Sequence, residues 1–179
     1  KQIGFFLIMK VLVLGKKGQM ARSLKEKSKN DKNNTYNFIG KNVFQKPKKT
    51  HIDRLIEKYD PNLIINLLAI TNVDFCEKNK KIAFNVNYLL VKKLVSICKK
   101  RNIFFFQIST DYVYFRNLNK VIYEKDKPNP RNYYGITKLD AENEIRLLKF
   151  FIILRTSTIF SGYSQSNFYS QICKKIELK

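Results

Sequence analysis

The sequence has few of the residues on which several common kinds of site depend. His51 is the only histidine, which argues against Ser-His-Asp hydrolase chemistry and excludes histidine-rich metal sites. Cys76, Cys98 and Cys173 are odd in number and far apart, so the sequence indicates neither a disulfide framework nor a metal site. A reducing cytoplasm fits this cysteine usage. Any acid–base chemistry must therefore use other groups.

Acidic residues are scarce as well. Lys and Arg number 35 against 14 Asp and Glu, which gives a net charge of +21. An excess of this size favours phosphate-rich partners through counterion release. The lysines are spread along the whole chain, without a glycine-arginine tract or an aromatic RNA-binding pattern, so nucleic acid is not expected as the main partner. We expect the relevant anion to be a dinucleotide phosphate.

Long hydrophobic runs are also lacking. The apolar stretch at residues 3–9 is interrupted by Lys10, has no small-residue cleavage site after it, and is too short to cross a bilayer. We therefore expect a cytoplasmic protein that does not associate with membranes. Residues 1–8 are predicted to be an N-terminal extension without an assigned function, and residues 9–179 to form one domain.

Short apolar runs alternate with helical patterns along the chain. Runs too apolar to face water predict five buried strands, at residues 9–14, 36–39, 63–68, 103–108 and 151–154. Helices are predicted at residues 19–29, 51–59, 81–100 and 133–149, the third with an apolar face formed by Val86, Leu90, Leu94 and Ile97. This alternation predicts an α/β fold, a doubly wound parallel sheet of the Rossmann type with helices on both faces. In such sheets ligands bind at the carboxyl ends of the strands.

The loop after the first predicted strand contains the pattern G-x-x-G-x-x-A, with Gly15, Gly18 and Ala21 at its fixed positions. Glycine allows a tight turn and a close approach of the backbone to a pyrophosphate, whose charge the amides of the next helix can hold. The pattern alone is also compatible with a plain turn. Its place between a strand and a helix favours a dinucleotide site.

Enzymes that select NAD often carry an acidic residue after the second strand, to bind the ribose hydroxyls. This chain has Gly40 and Lys41 there. Lys41 could pair with a 2′-phosphate, with help from Lys16 or Lys17, which favours NADPH over NADH. The alternative, that Lys41 is one more surface lysine, stays open.

The strongest constellation is Ser109-Thr110-Asp111-Tyr112 at the end of a strand, followed by Tyr134-Gly135-Ile136-Thr137-Lys138 at the start of a helix. Residues four apart share one helix face, so Lys138 lies beside Tyr134. A free tyrosine has a pKa near 10, and we expect the ammonium of Lys138 to favour the phenolate. Tyr134 would protonate a ketone oxygen, Thr110 would hold that oxygen, and Lys138 would also bind ribose hydroxyls of the cofactor.

Four segments carry a resemblance to a known family. They read IINLLAITNVDFCE from Ile64, ISTDYVY from Ile108, NYYGITKLDAE from Asn132 and LRTSTIF from Leu154. In order and spacing they resemble dTDP-4-dehydrorhamnose reductases, within the extended short-chain dehydrogenase superfamily. The resemblance implies a reductase of a 4-keto sugar nucleotide in polysaccharide biosynthesis, with NADPH or NADH as the cofactor, and allows a homodimer.

The resemblance also assigns individual residues. It implies catalytic roles for Thr110, Tyr134 and Lys138. It implies cofactor binding by the same tyrosine and lysine and by Gly15, Gly18, Gln19, Met20, Ala69 and Thr71. Lys17 and Lys41 are added as cofactor-binding candidates because of their positive charge. It places Thr110, Asp111 and Thr158 near the substrate, although Asp111 could equally be a loop cap, and it implies no metal.

Three departures from the family concern the sugar site, the adenosine side of the cofactor site and the length of the chain. Thr158 stands where the family usually has a tryptophan that contacts the sugar, and Val43 stands where it usually has an aspartate. Relatives also continue for about another hundred residues, which predicts a C-terminally truncated member without most of the substrate lobe. Two other functions therefore stay open: a non-catalytic NADP-binding regulatory subunit, and a sugar-nucleotide epimerase or dehydratase.

Overall fold

The computed structural model describes residues 8–40, 49–114 and 121–160. Within them five strands form one parallel sheet in the order β2-β1-β3-β4-β5. The strands are β1 (Lys10–Leu14), β2 (Thr35–Ile39), β3 (Leu63–Asn66), β4 (Phe104–Thr110) and β5 (Phe151–Thr156). The predicted doubly wound α/β class is confirmed, with strand ends that differ by one or two residues from the expected bounds.

Helices cover both faces of the sheet. They are α1 (Gln19–Ser28), α2 (Lys49–Tyr59), α3 (Val73–Lys78), α4 (Lys80–Phe84), α5 (Leu90–Arg101) and α6 (Tyr133–Ile145). Successive side chains of a strand point to opposite faces. Val11 and Val13 of β1 accordingly pack with Ala21 of α1. Leu12 and Leu14 belong to the larger core on the other face, to which α2, α5 and α6 contribute.

The strand order creates a switch point between β1 and β3. From β1 the chain crosses to β2 on one side, whereas later strands add on the other side. Gly15 directly follows β1 with a φ of +105°, and a Cβ there would lie 3.1 Å from the carbonyl carbon of Leu67. Glycine is therefore required where the loops after β1 and β3 touch. Ligands of open α/β sheets bind at such a crevice.

The helix predicted at residues 81–100 is divided in the structure. A π-helical turn (Asn85–Leu89) separates α4 from α5, and this wider turn shifts the register of the buried face. Val86, expected on the apolar face, is partly exposed, whereas Asn87 is buried. The expectation for Val86 was wrong, while Leu90, Leu94 and Ile97 are buried as predicted.

Two further differences concern helix bounds. The short helix α3 was not predicted, and α6 ends at Ile145 rather than at residue 149. Among the described helices, none has both the length and the hydrophobicity that a membrane span needs.

Candidate active site

An open cleft of about 1680 Å³ runs along the carboxyl ends of β1, β3, β4 and β5. It brings together most of the residues singled out in the sequence, namely Gly18, Gln19, Met20, Ala69, Thr71, Thr110, Asp111, Tyr134, Lys138 and Thr158. Gly15 is buried in the turn beneath the cleft, and Lys17 is exposed outside its lining. Lys41 lies outside the described residues.

Backbone hydrogen bonds shape the glycine loop. The amides of Gly15 and Lys16 both donate to the carbonyl of Ile39, at 2.8 and 3.1 Å, and the amide of Gly18 donates to the carbonyl of Gly15 at 2.9 Å. Gly18 caps α1 with extended backbone and without a side chain. The first-turn amides of α1 therefore face the cleft unobstructed, which suits an anion such as a pyrophosphate.

The side chain of Lys16 lies at the end of β2. A Cβ on Gly40 would meet its Cε at 3.2 Å, so the lysine stem packs over a position that glycine keeps open. The contact places a cation beside the strand end where dinucleotide enzymes recognise the adenosine ribose. Neither loop lysine lines the cleft itself, but of the two proposed to help with a 2′-phosphate only Lys16 is placed against Gly40 at the end of β2.

Gln19 links two edges of the cleft. Its side-chain amide donates to the carbonyl of Ile159 at 2.7 Å, across 140 residues of sequence. The side chain of Gln19 therefore ties the glycine loop to the loop after β5, which also carries Thr158.

Thr110 ends β4 and begins a short 3-10 turn (Asp111–Val113). Its hydroxyl oxygen accepts from the amide of Tyr112 at 3.2 Å, and the hydroxyl lies 3.2 Å from a carboxylate oxygen of Asp111. Both side chains line the cleft. Asp111 lines the cleft and is also part of the turn. Its geometry therefore fits both the substrate contact and the loop cap that the sequence left open.

Tyr134 is nearly buried beside Thr110, and its ring packs edge-on against Tyr112 with the centroids 5.9 Å apart. Burial raises the pKa of Tyr134 to about 12, although a hydrogen bond with Thr110 opposes the shift. This direction is opposite to the one we expected from a neighbouring ammonium. At neutral pH the phenol is therefore protonated and can act as a proton donor.

Lys138 lies one helical turn after Tyr134 and is buried. Its Nζ donates to the carbonyl oxygen of Ile108 at 2.6 Å. Burial lowers the pKa of Lys138 to about 8, while the charge of Glu142 acts in the other direction. The same carbonyl accepts from the side-chain amide of Gln107 at 2.7 Å, and Gln107 in turn accepts from Asn66 at 2.8 Å. Buried polar groups of β3 and β4 thus hold the acceptor of the lysine.

Helix α6 approaches the end of β4 very closely at Gly135. A Cβ there would lie 2.3 Å from the carbonyl oxygen of Tyr112. The helix start is fixed by Asn132, whose side chain accepts from the amide of Gly135 at 2.7 Å, and by Glu77, which accepts from the amide of Tyr133 at 2.6 Å. Only glycine lets the helix present Tyr134 at this distance from the strand.

Two buried polar residues beside the site were missed in the sequence. Glu142 is fully buried and accepts hydrogen bonds from Ser109 at 2.6 Å and from Arg155 at 2.9 and 2.5 Å. Asn87 exchanges hydrogen bonds of 2.8 and 3.0 Å with the backbone of Ile70 and contacts the hydroxyl of Thr137 at 3.2 Å. Glu142 stands four residues after Lys138, on the same helix face, and this spacing was the available signal.

The structure has three features of the short-chain dehydrogenase and reductase superfamily. These are a parallel sheet with its switch point at a glycine loop, a threonine at a strand end, and beside it a tyrosine and a lysine one helical turn apart. The family is shown by a direct match, since the model of the RmlD substrate binding domain matches residues 9–179. The chain belongs to this family.

Three curated proteins illustrate the relationship. The probable low-salt glycan biosynthesis reductase Agl14 of Haloferax volcanii is 37% identical over 109 residues, which are 60% of this chain and 36% of that protein. A dTDP-4-dehydrorhamnose reductase of Sinorhizobium fredii is 32% identical over 160 residues, 88% of this chain and 53% of that one. Methionine adenosyltransferase 2 subunit beta of Danio rerio is 32% identical over 146 residues, 76% and 43% of the two chains. The chain spans about half or less of the length of these relatives.

A solved structure shows the same fold. The dTDP-4-dehydrorhamnose reductase of Bacillus anthracis, determined in complex with NADP, superposes with a TM-score of 0.89 over 97% of this chain and 61% of that chain. The two sequences are 24% identical in this comparison. The likeness supports the Rossmann-type architecture.

Proposed function

We propose that the protein is an NAD(P)H-dependent reductase of a 4-keto-6-deoxy sugar nucleotide, of the dTDP-4-dehydrorhamnose reductase type. Its product would serve the synthesis of dTDP-rhamnose or a related sugar. The main support for this proposal is that Thr110, Tyr134 and Lys138 all line one cleft, which begins at the glycine-capped N-terminus of α1. The reductases from H. volcanii and S. fredii, with which the chain shares its family, support it.

The residues around the glycine loop fit a dinucleotide. The amides at the start of α1, at Gln19 and Met20, would hold the pyrophosphate, and Ala69 and Thr71 would lie along the cofactor. Lys16, packed over Gly40, would pair with a 2′-phosphate, so we propose NADPH as the preferred cofactor with NADH as the alternative. Residues 9–179 would form one NAD(P)-binding domain that also carries the catalytic groups.

The reductive step divides between the cofactor and the protein. NADPH, when bound, supplies a hydride to the ketone carbon. The phenol of Tyr134, which is protonated at neutral pH, donates its proton to the ketone oxygen and so gives the alcohol. Thr110, hydrogen-bonded to Tyr134, holds the same oxygen.

Lys138 would stabilise the phenolate that Tyr134 becomes after proton transfer. An ammonium has three N–H groups. The bond to Ile108 orients one of them, so the others can serve the ribose hydroxyls of the cofactor and the charge on the tyrosine. Burial strengthens these interactions because water does not screen them.

The test is a turnover assay of the full-length gene product with a dTDP-4-keto-6-deoxy sugar and NADPH. We expect one NADPH oxidised per ketone reduced, and a product heavier by two hydrogens in mass spectrometry. An isomer formed without net cofactor oxidation would identify an epimerase instead.

A second candidate is a non-catalytic NADP-binding subunit that regulates a partner enzyme. The similarity to methionine adenosyltransferase 2 subunit beta, a protein named as a subunit, favours it. Cofactor binding without turnover on a panel of sugar-nucleotide ketones would support this candidate over the reductase.

A further inference from the structure

The fully buried carboxylate of Glu142 has no part in the reductive step proposed above. Burial by itself would raise the pKa of Glu142, but hydrogen bonds from Arg155 and Ser109 outweigh it and lower the pKa. The group is therefore an anion behind the cleft. The charged groups that face it are Arg155 from β5, with Arg146 at 3.6 Å and Lys138 on its own helix.

One arm of this network leads to Thr110. The hydroxyl of Ser109 donates to Glu142 at 2.6 Å, and the carbonyl of Ser109 accepts from the hydroxyl of Thr156 at 3.3 Å. Ser109 is thus held by α6 on its side-chain side and by β5 on its backbone side. Because Thr110 is the next residue, these contacts fix the strand end that carries the threonine hydroxyl.

The other arm leads to the outer wall of the cleft. Arg155, besides its two bonds to Glu142, donates to the hydroxyl of Tyr114 and lies 4.9 Å from the centroid of that ring. The hydroxyl of Tyr114 donates to the carbonyl of Glu124 at 3.1 Å. Residues 122–124 line the cleft, so this arm ends on a surface that a bound molecule would touch.

We infer that Glu142 is a positioning residue with two separate effects. Through Ser109 it fixes the position of the Thr110 hydroxyl, and through Arg155 and Tyr114 it holds the cleft wall at residues 122–124 in place. This inference rests on the proposed reductase function, and it identifies that wall as part of the sugar-nucleotide site. The first effect acts on the group that holds the reacting ketone oxygen, so its loss should lower kcat. The second effect acts on a surface that contacts the substrate, so its loss should raise KM.

Two variants cut one arm each and leave the ion pair of Glu142 and Arg155 intact. In the full-length enzyme, Ser109→Ala should lower kcat by about tenfold or more, because small displacements of an orienting group are costly, with KM for the sugar nucleotide nearly unchanged. Tyr114→Phe removes both bonds of the hydroxyl, of which the one to the carbonyl of Glu124 holds the wall. Loss of that one bond should raise KM by about threefold to tenfold, with kcat nearly unchanged.

Matched controls lose a similar hydrogen bond away from the cleft. Ser28→Ala removes a bond of 2.9 Å to the carbonyl of Lys25, and Tyr36→Phe removes one of 2.8 Å to Asp31. Both controls should leave kcat and KM unchanged. In a Glu142→Leu background, which has no acceptor for the Ser109 hydroxyl, adding Ser109→Ala should lower kcat no further.

Amide hydrogen exchange on this chain tests the same arms without turnover. The amide of Tyr112 donates to Thr110 and should exchange faster in Ser109→Ala, whereas the amides of Tyr123 and Asp126 should exchange faster in Tyr114→Phe. Crossed effects, or variants indistinguishable from their controls, would overturn the inference. An inactive wild type would refute the proposed function instead, and the exchange pattern would still decide whether the two arms exist.

Discussion

The two sides of the cleft are built by different means. Around the glycine loop, main-chain hydrogen bonds between Gly15, Lys16, Gly18 and Ile39 set the geometry, and the side chain of Gln19 adds one bond to the loop after β5. Around β4 and α6, buried polar side chains from distant parts of the chain meet, with Glu142 and Lys138 among them. A site made from backbone needs glycines at fixed spacing, while a site made from side chains needs the surrounding fold to exclude water and align partners.

The largest expected effect comes from the side-chain side. Tyr134→Phe keeps the ring and its packing against Tyr112 but removes the proton donor. The rate of ketone reduction should fall by about 10² to 10⁴-fold, the usual contribution of general acid catalysis, while NADPH affinity is retained. Steady-state kinetics and a cofactor titration measure the two quantities. A variant that reduces its sugar at nearly the wild-type rate would remove Tyr134 from the mechanism.

Two glycine substitutions sharpen the contrast between the regions. Gly135→Ala forces a Cβ to within 2.3 Å of the Tyr112 carbonyl, so the free energy of unfolding should fall by about 1 to 3 kcal/mol. Gly18→Ala meets one atom, the Gly15 carbonyl oxygen at 3.3 Å, so stability should change little while NADPH binding weakens. Urea unfolding and calorimetric titration of both variants give the comparison. Equal stability losses would contradict it.

The buried ammonium of Lys138 predicts opposite pH dependences for binding and for stability. Its folded pKa of about 8 is below the ordinary value of 10.5, so the cation is lost as the pH rises through about 8. NADPH affinity should then fall by up to about tenfold per pH unit. In the same window the unfolded chain binds more protons than the folded one, so stability should rise with pH. Lys138→Met should bind NADPH weakly and abolish both dependences.

The smallest effect concerns cofactor choice. Lys16→Ala should reduce the preference for NADPH over NADH by about threefold to fivefold, because the contact is exposed and partly screened. Lys17→Ala is the matched control, since Lys17 is the neighbouring exposed lysine and, unlike Lys16, has no atom among those nearest to Gly40. Lys41→Ala tests the residue proposed from sequence. Paired titrations with both cofactors at low salt are the measurement, and an unchanged ratio in Lys16→Ala would leave Lys41 as the candidate.

The contrast also explains what the sequence could and could not predict. Buried strands and the glycine spacing are local patterns, so the sheet and the loop after β1 were expected with little error. The network of Glu142 and Arg155 joins residues whose proximity exists only after α6 packs on β4 and β5. The direction of the Tyr134 pKa was missed for the same reason: burial of this side chain, which outweighs the hydrogen bond with Thr110, exists only after α6 packs on β4.

The π-helical turn Asn85–Leu89 has a consequence for insertions and deletions. A π turn contains one residue more than an α-helical turn, and each residue of an α-helix advances it by about 100°. Deleting one residue here would give a continuous helix and rotate Asn87 away from Ile70 and Thr137. The number of residues in this turn is therefore more constrained than their identities. A relative that lacked one residue here would need a different side chain to hold the loop after β3.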